Sequence, residues 1–167
     1  GVNQSGVRDY NERLLLSMLL RHGAMPGSDL ARHVNLSSQT VSVILRKLEK
    51  DGLLERGEPI KGKVGKPSVP MTLAKNGVFS LGLRIGRRSS ELVLIDLHGK
   101  VHNQLQIKYN YPMPDIIFSF LENGISKISL VLKQKDKRRI CGIGVAAPFE
   151  LWNWHELVGA PQSEFSI

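Results

Sequence analysis

The sequence predicts an α+β chain in two parts: a small helical unit closed by a hairpin, then a strand-rich lobe holding one longer helix. Three observations carry this prediction. Apolar residues recur at helical spacing in three successive segments up to residue 50. A loop rich in Gly, Pro and Lys follows, flanked by two short apolar runs. From residue 76 onward the apolar residues alternate or run together, as strands require. The parts are therefore expected to span residues 1–75 and 76–167.

The first helix is expected over residues 10–23, YNERLLLSMLLRHG, with Leu15, Met18 and Leu19 on its buried side. A second, shorter helix is expected within PGSDLARHV, residues 26–34, capped by Ser28 and lined by Leu30, Ala31 and Val34. Only Asn35 and Leu36 link it to the next cap. Asn tolerates the left-handed conformation that so tight a turn needs, and the small Ala31 allows close approach of the following helix.

The third helix lies in LSSQTVSVILRKLEKDG, residues 36–52. Val41, Ile44, Leu45 and Leu48 form its packing face. Ser37 is the expected N-cap and Gly52 the residue that ends it, while Lys47 and Lys50 suit the negative end of the helix dipole. Its front is loaded with Ser38, Gln39, Thr40 and Ser42, and Arg46 follows one turn later. In an isolated helix these would be a solvated face. Behind a short helix and a tight turn they complete a helix-turn-helix, whose second helix presents its first residues to base edges in the major groove. Gln bonds adenine in a bidentate manner, Ser and Thr bond several partners, and Arg suits guanine or phosphate.

Leu53–Arg56 and Val69–Leu73 read as two paired strands. The loop between them carries Lys61, Lys63 and Lys66, which suit phosphates or a narrow minor groove. Such a hairpin is a wing, and the candidate DNA-binding residues are Ser37, Ser38, Gln39, Thr40, Ser42, Arg46, Lys61, Lys63 and Lys66. A winged helix used only for protein contacts remains an alternative.

The charge balance agrees. The formal net charge is +8, and the first 75 residues hold 12 Lys+Arg against 7 Asp+Glu. A basic chain favours a polyanionic partner. The single cysteine, Cys141, excludes an internal disulfide and a multi-cysteine zinc site within this chain, and its apolar surroundings predict a buried, inert thiol. No signal peptide or membrane-length apolar run is present, so the expected location is the cytoplasm, with no membrane partner.

In the second part, GVFSLGLRIG places Phe79, Leu81, Leu83 and Ile85 on one face of a strand. ELVLIDL (91–97) is a nearly continuous apolar strand, as a buried sheet position requires. A turn at His98-Gly99 leads into a third strand, VHNQLQIKY (101–109). Short connections make these an antiparallel meander. Pro112 and Pro114 break the chain before a helical run from Asp115 to about residue 134, within which Gly124 weakens continuity. The basic stretch 133–139 then leads into the apolar strand ICGIGVAA. Three antiparallel strands, a helix and a further strand open an actin-like, ribonuclease-H-like α/β lobe.

Three stretches resemble the ROK family of transcriptional repressors (repressors, open reading frames and sugar kinases). They are NLSSQTVSVILRKLEKDGLLERG with the wing Gly65-Lys66-Pro67, GLRIGRRSSELVLIDLHGKV at 82–101, and GIGVAAP at 142–148. The resemblance implies a winged helix-turn-helix followed by a partial sugar-kinase-like lobe. It also implies a bacterial regulator of sugar uptake or metabolism that binds operator DNA as a dimer or tetramer, tuned by a sugar or phosphosugar effector. The family's kinases carry Gly-hydrophobic-Asp-hydrophobic-Gly-Gly-Thr on their first strand. This chain has Gly82-Leu83-Arg84-Ile85-Gly86-Arg87-Arg88. Arginine cannot ligate Mg²⁺, and Arg87 obstructs the close backbone approach that glycine permits. No catalytic residue, metal ligand or cofactor is therefore expected here, against the alternative of a sugar kinase with an appended helical domain.

The family's second lobe, with its cysteine-rich structural zinc motif and most sugar contacts, has no counterpart in these residues, and the expectation is a fragment of a longer regulator. Trp152 and Trp154 are read as aromatic packing in preference to a sugar platform, and His155 with Glu156 as a surface pair.

Overall fold

The computed structural model describes residues 4–59 and 68–148. The chain divides into two compact units, residues 1–78 and 79–167.

The first unit contains α1 (Gln4–His22), β1 (Met25–Pro26), α2 (Gly27–Val34), α3 (Ser38–Lys50), β2 (Leu54–Arg56) and β3 (Pro70–Leu73). Its buried side chains are Leu15 and Leu19 of α1, Leu30 and Ala31 of α2, Val41, Ile44, Leu45 and Leu48 of α3, and Leu54, Met71 and Leu73 of the sheet. Full burial of one such leucine stabilises the fold by about 1.5–3 kcal/mol. Met18 is only half-buried, and α1 begins upstream of the expected residue 10.

The strands form one antiparallel sheet in the order β1-β3-β2. Leu54 pairs with Leu73 and Arg56 with Met71, as expected of a hairpin. The two-residue strand β1 was not expected, and it changes the start of α2. Pro26 pairs with Pro70 and is held extended at φ −61°, ψ 148°. The helix therefore begins at Gly27 with Pro26 in the capping position, and Ser28 lies inside the first turn without capping it.

The end of α3 follows the expectation closely. Gly52 adopts φ +72°, its N–H donates to the Glu49 carbonyl at 3.0 Å, and the Leu53 N–H donates to the Leu48 carbonyl at 2.9 Å. This pair of bonds is a Schellman closure, which needs a residue free to enter the left-handed region. It turns the chain directly into β2.

The second unit contains β4 (Phe79–Ile85), β5 (Ser89–Asp96), β6 (Val101–Lys108), α4 (Pro114–Ile128), a 3₁₀ turn at Ser129–Val131, α5 (Gln134–Lys137) and β7 (Ile140–Ala146). The sheet order is β6-β5-β4-β7, antiparallel through the meander and parallel between β4 and β7. Phe79, Leu81, Leu83, Leu92 and Leu94 face Ile117 and Ile128 to make the core. This arrangement opens a ribonuclease-H-like lobe and completes the predicted α+β class.

Three expectations need correction here. Alternate residues of β5, Ser90, Leu92, Leu94 and Asp96, are buried, while Val93 and Ile95 are only half-covered, because α4 packs on one face of the sheet alone. The helical run ends at Ile128 instead of near 134, but it passes through Gly124 unbroken. A Cβ at Gly124 would stand 2.7 Å from Leu92 Cδ2, so glycine is what lets α4 approach the sheet. Cys141 is exposed, because β7 is an edge strand with little packed against it among the described residues.

Candidate nucleic-acid interface

The interface is built from the turn between α2 and α3. Asn35 sits at φ 53°, ψ 42°, the left-handed conformation that the sequence called for. The Leu36 N–H donates back to the Ala31 carbonyl at 3.1 Å, so the turn is closed by the backbone. Ser37 then caps α3: its Oγ accepts from the Thr40 N–H at 3.1 Å and lies 2.8 Å from Thr40 Oγ1. The hydroxyls of Ser37 and Thr40 are thus engaged in the cap itself. Ser38, Gln39, Ser42 and Arg46 are exposed, and no acidic residue lies in the first turn.

At 3.6 residues per turn, Gln39, Val43, Arg46 and Lys50 fall within about 30° of the direction opposite the buried row. They form the outermost ridge of α3. One flank is a groove shared with Val7, Arg8 and Asn11 of α1. The other is bordered by Ser42 and Arg46 of α3, Arg56 of β2 and Val69. Arg46 donates from Nε to the Ser42 carbonyl at 3.1 Å, which lays its side chain back along the helix.

Two ion pairs hold this ridge in place. Lys47 Nζ lies 2.7 and 2.8 Å from the two carboxylate oxygens of Glu12, tying α3 to α1. Arg8 adds a bond to the same carboxylate at 3.1 Å. The hydrogen bond from Lys47, helped by Arg8, holds the Glu12 carboxyl below its ordinary range against the opposing pull of partial burial. Arg56 grips Glu49 with two bonds, Nε at 2.8 Å and Nη2 at 3.2 Å, and so joins β2 to α3. That grip lowers the Glu49 carboxyl and raises the Arg56 guanidinium. The sequence reading missed these supporting roles of Glu12, Glu49 and Arg56. Lys61, Lys63 and Lys66, with Gly65-Lys66-Pro67, lie outside the described residues, as do Trp152, Trp154, His155 and Glu156.

In the second unit, the turn after β4 was the place to look for a phosphate cradle. The Gly86 N–H donates to the Ser89 carbonyl at 2.9 Å, which closes the β4–β5 hairpin. Tyr109 Oη donates to the Gly86 carbonyl at 2.7 Å, and Ser90 Oγ lies 2.8 Å from Tyr109 Oη. Arg84 pairs with Glu91 at 3.4 Å. Arg88 donates to the Asn110 carbonyl at 2.6 Å and stands over the Tyr111 ring. Among the described residues, no group of three or more His, Cys, Asp or Glu could hold a metal ion, and no helix is long and apolar enough to cross a membrane.

Comparison with known proteins agrees with both halves of this description. A family model for winged helix-turn-helix DNA-binding segments matches residues 8–55. The chain is 22% identical over 167 residues to the xylose repressor of Bacillus spizizenii, covering 98% of this chain and 42% of that protein. It is 22% identical over 145 residues to the DNA-binding transcriptional dual regulator NagC of Escherichia coli, covering 85% of this chain and 35% of that protein. The chain thus spans less than half the length of these relatives. The crystal structure of a ROK family transcriptional regulator, a homologue of the E. coli MLC protein, matches with a TM-score of 0.57 at 19% identity, over 84% of this chain and 35% of that one. With its helix-turn-helix, its paired β2 and β3 and its strand-rich lobe in this order, the chain shares the fold of the corresponding third of that regulator, and its first part matches winged helix-turn-helix DNA-binding segments.

Proposed function

We propose that the protein is a sequence-specific DNA-binding repressor of sugar-uptake or metabolism genes, released or engaged by a sugar or phosphosugar. The observation that carries this reading is the α3 ridge: polar and basic side chains directed away from the core, on a helix pinned to α1 and β2 by ion pairs. The name of the xylose repressor supports the repressor and sugar-linked parts of it, and that of the dual regulator NagC supports the DNA-binding, regulatory part.

In this reading Ser38, Gln39, Ser42 and Arg46 meet base edges or phosphates, Ser37 and Thr40 hold the front of the helix in shape, and Lys61, Lys63 and Lys66 follow the backbone or minor groove. The reading unit corresponds to residues 1–75. Two copies in a dimer or tetramer sit in successive major grooves, about 34 Å apart. An effector bound by the sugar-kinase-like part alters that spacing and so the affinity for operator DNA.

Phosphoryl transfer is not part of the proposal. Arg84 stands where the kinases of the family carry a carboxylate, and the Gly86 amide is spent on closing its own hairpin. Incubation of the full-length protein with nucleotide, Mg²⁺ and common hexoses is expected to yield no sugar phosphate, and turnover would restore the kinase alternative. The primary test is binding to the upstream intergenic DNA of its own gene against a scrambled duplex at several salt concentrations. Tight, selective and steeply salt-dependent binding is expected. Equal and weak binding to both duplexes would leave the winged helix as a general electrostatic or protein-contact module.

A further inference from the structure

Val43 is the odd member of the outer ridge. Its neighbours on that ridge are an amide at Gln39, a guanidinium at Arg46 and an ammonium at Lys50, yet its own side chain is an isopropyl group left 52% exposed. Val43 borders the groove shared with Val7 of α1, but the core face of α3 is already complete with Val41, Ile44, Leu45 and Leu48, and about half of Val43 stays uncovered. Helix propensity does not account for the valine, because a β-branched residue is among the poorer choices at an exposed helical position.

We infer that Val43 reads the C5-methyl group of a thymine, a specificity contact that rests on the DNA-reading role proposed for α3. Of the groups that the base pairs offer in the major groove, the thymine methyl is the apolar one. Valine in a helix is nearly confined to one rotamer, so its two methyls are placed before contact and little freedom is lost on binding. Its position also fits. Val43 follows Gln39 by one turn, a rise of about 6 Å along the helix, and stacked bases repeat every ~3.4 Å on a strand. The thymine therefore lies within about two base pairs of the base that Gln39 contacts. The binding site is expected to pair an adenine with a nearby thymine whose methyl matters.

The full-length protein is used to enrich duplexes from a randomised pool, and each thymine of the enriched site is then replaced singly by deoxyuridine, which removes only the methyl. The wild-type protein is expected to lose roughly three- to fivefold in affinity at one or two thymines, the scale of burying one methyl group, and nothing at the others. Val43→Ser is expected to bind the thymine and uracil duplexes equally. Because Val43 is exposed, its thermal unfolding should match the wild type. Enrichment of a defined site with indifference of the wild type to every uracil replacement would overturn the role of Val43 while leaving sequence reading intact. The same uracil penalty in Val43→Ser would also overturn it. Failure to enrich any sequence would overturn sequence reading itself, and the role of Val43 with it.

Discussion

The outer ridge of α3 and the β4–β5 turn both bring arginine to the surface, and they use it in opposite ways. In the winged helix the ionic partners stand behind the ridge: Glu12 takes Lys47 and Glu49 takes Arg56, and both pairs fasten α3 to its neighbours. The ridge itself carries Gln39, Arg46 and Lys50 around the apolar Val43, with Arg46 laid back on the Ser42 carbonyl of its own helix. In the lobe the polar groups close on one another. Arg84 meets Glu91, Arg88 meets the Asn110 carbonyl, and Tyr109 with Ser90 fastens the Gly86 carbonyl. The difference teaches that a count of arginines does not find a binding surface. What matters is whether the acidic partners lie behind the surface, bracing it, or within it, consuming it.

Substitutions sharpen this contrast, and the largest effects are structural. Leu92→Ala in the lobe and Leu48→Ala in the winged helix each remove a side chain with almost no exposure, and each should destabilise its unit by about 2–5 kcal/mol in urea or thermal unfolding. Leu48→Ala should also weaken DNA binding by the full-length protein more than Leu92→Ala does, because Leu48 holds α3 in place. Next comes Gln39→Ala, expected to cost about 1–3 kcal/mol on the cognate duplex and little on a scrambled one. An equal loss on both would show that the ridge holds DNA without reading it.

A pH effect is expected to be smaller. Asp96 is nearly buried and accepts bonds from His102 Nε2 at 2.8 Å and from the His98 and Lys100 N–H groups at 2.9 and 3.0 Å. Burial pushes its carboxyl upward, but these bonds together outweigh burial and hold it below the ordinary value of 3.8. A folded-state value below the unfolded one means stability that is fully present above about pH 4 and lost as the pH falls through the depressed range. Unfolding of the lobe followed from pH 6 downward should therefore show a decline that Asp96→Asn makes shallower, on top of a loss of roughly 1–2 kcal/mol at neutral pH. The smallest change is expected in the wing: Lys63→Ala should reduce the salt slope of DNA binding by about 0.9. An unchanged slope would remove that lysine from the interface.

How much of this was legible depends on the range of the interactions involved. The cap at Ser37, the left-handed turn at Asn35, the buried row of α3 and the closure at Gly52 are all decided within a few residues, and the sequence predicted each of them. β1 was not legible, because two residues carry no periodicity and Met25–Pro26 becomes a strand only by meeting Pro70 and Met71. The failure of Ser28 as a cap follows from that unseen strand. Burial also misled where it depends on what covers a face: ELVLIDL and the run around Cys141 are equally apolar in sequence, yet α4 covers one face of β5 while β7 lies at the sheet edge. The bracing of α3 by Glu12 joins residues 35 apart, and no local pattern announces it. The place of Val43 on the outer side of α3 follows from the packing face, but how far α1 covers it is decided only by the tertiary structure.

The backbone at Asn35 has a consequence for aim. α3 is about 20 Å long from its 13 residues, and it leaves α2 through one left-handed residue. Treated as a lever, an angular error of 10° at that residue moves the far end of the helix by roughly 3.5 Å, close to one base-pair step. The fidelity with which four side chains could address a given row of bases is thus set at a distance, by the stiffness of a single peptide unit and the two ion pairs that steady the lever beyond it.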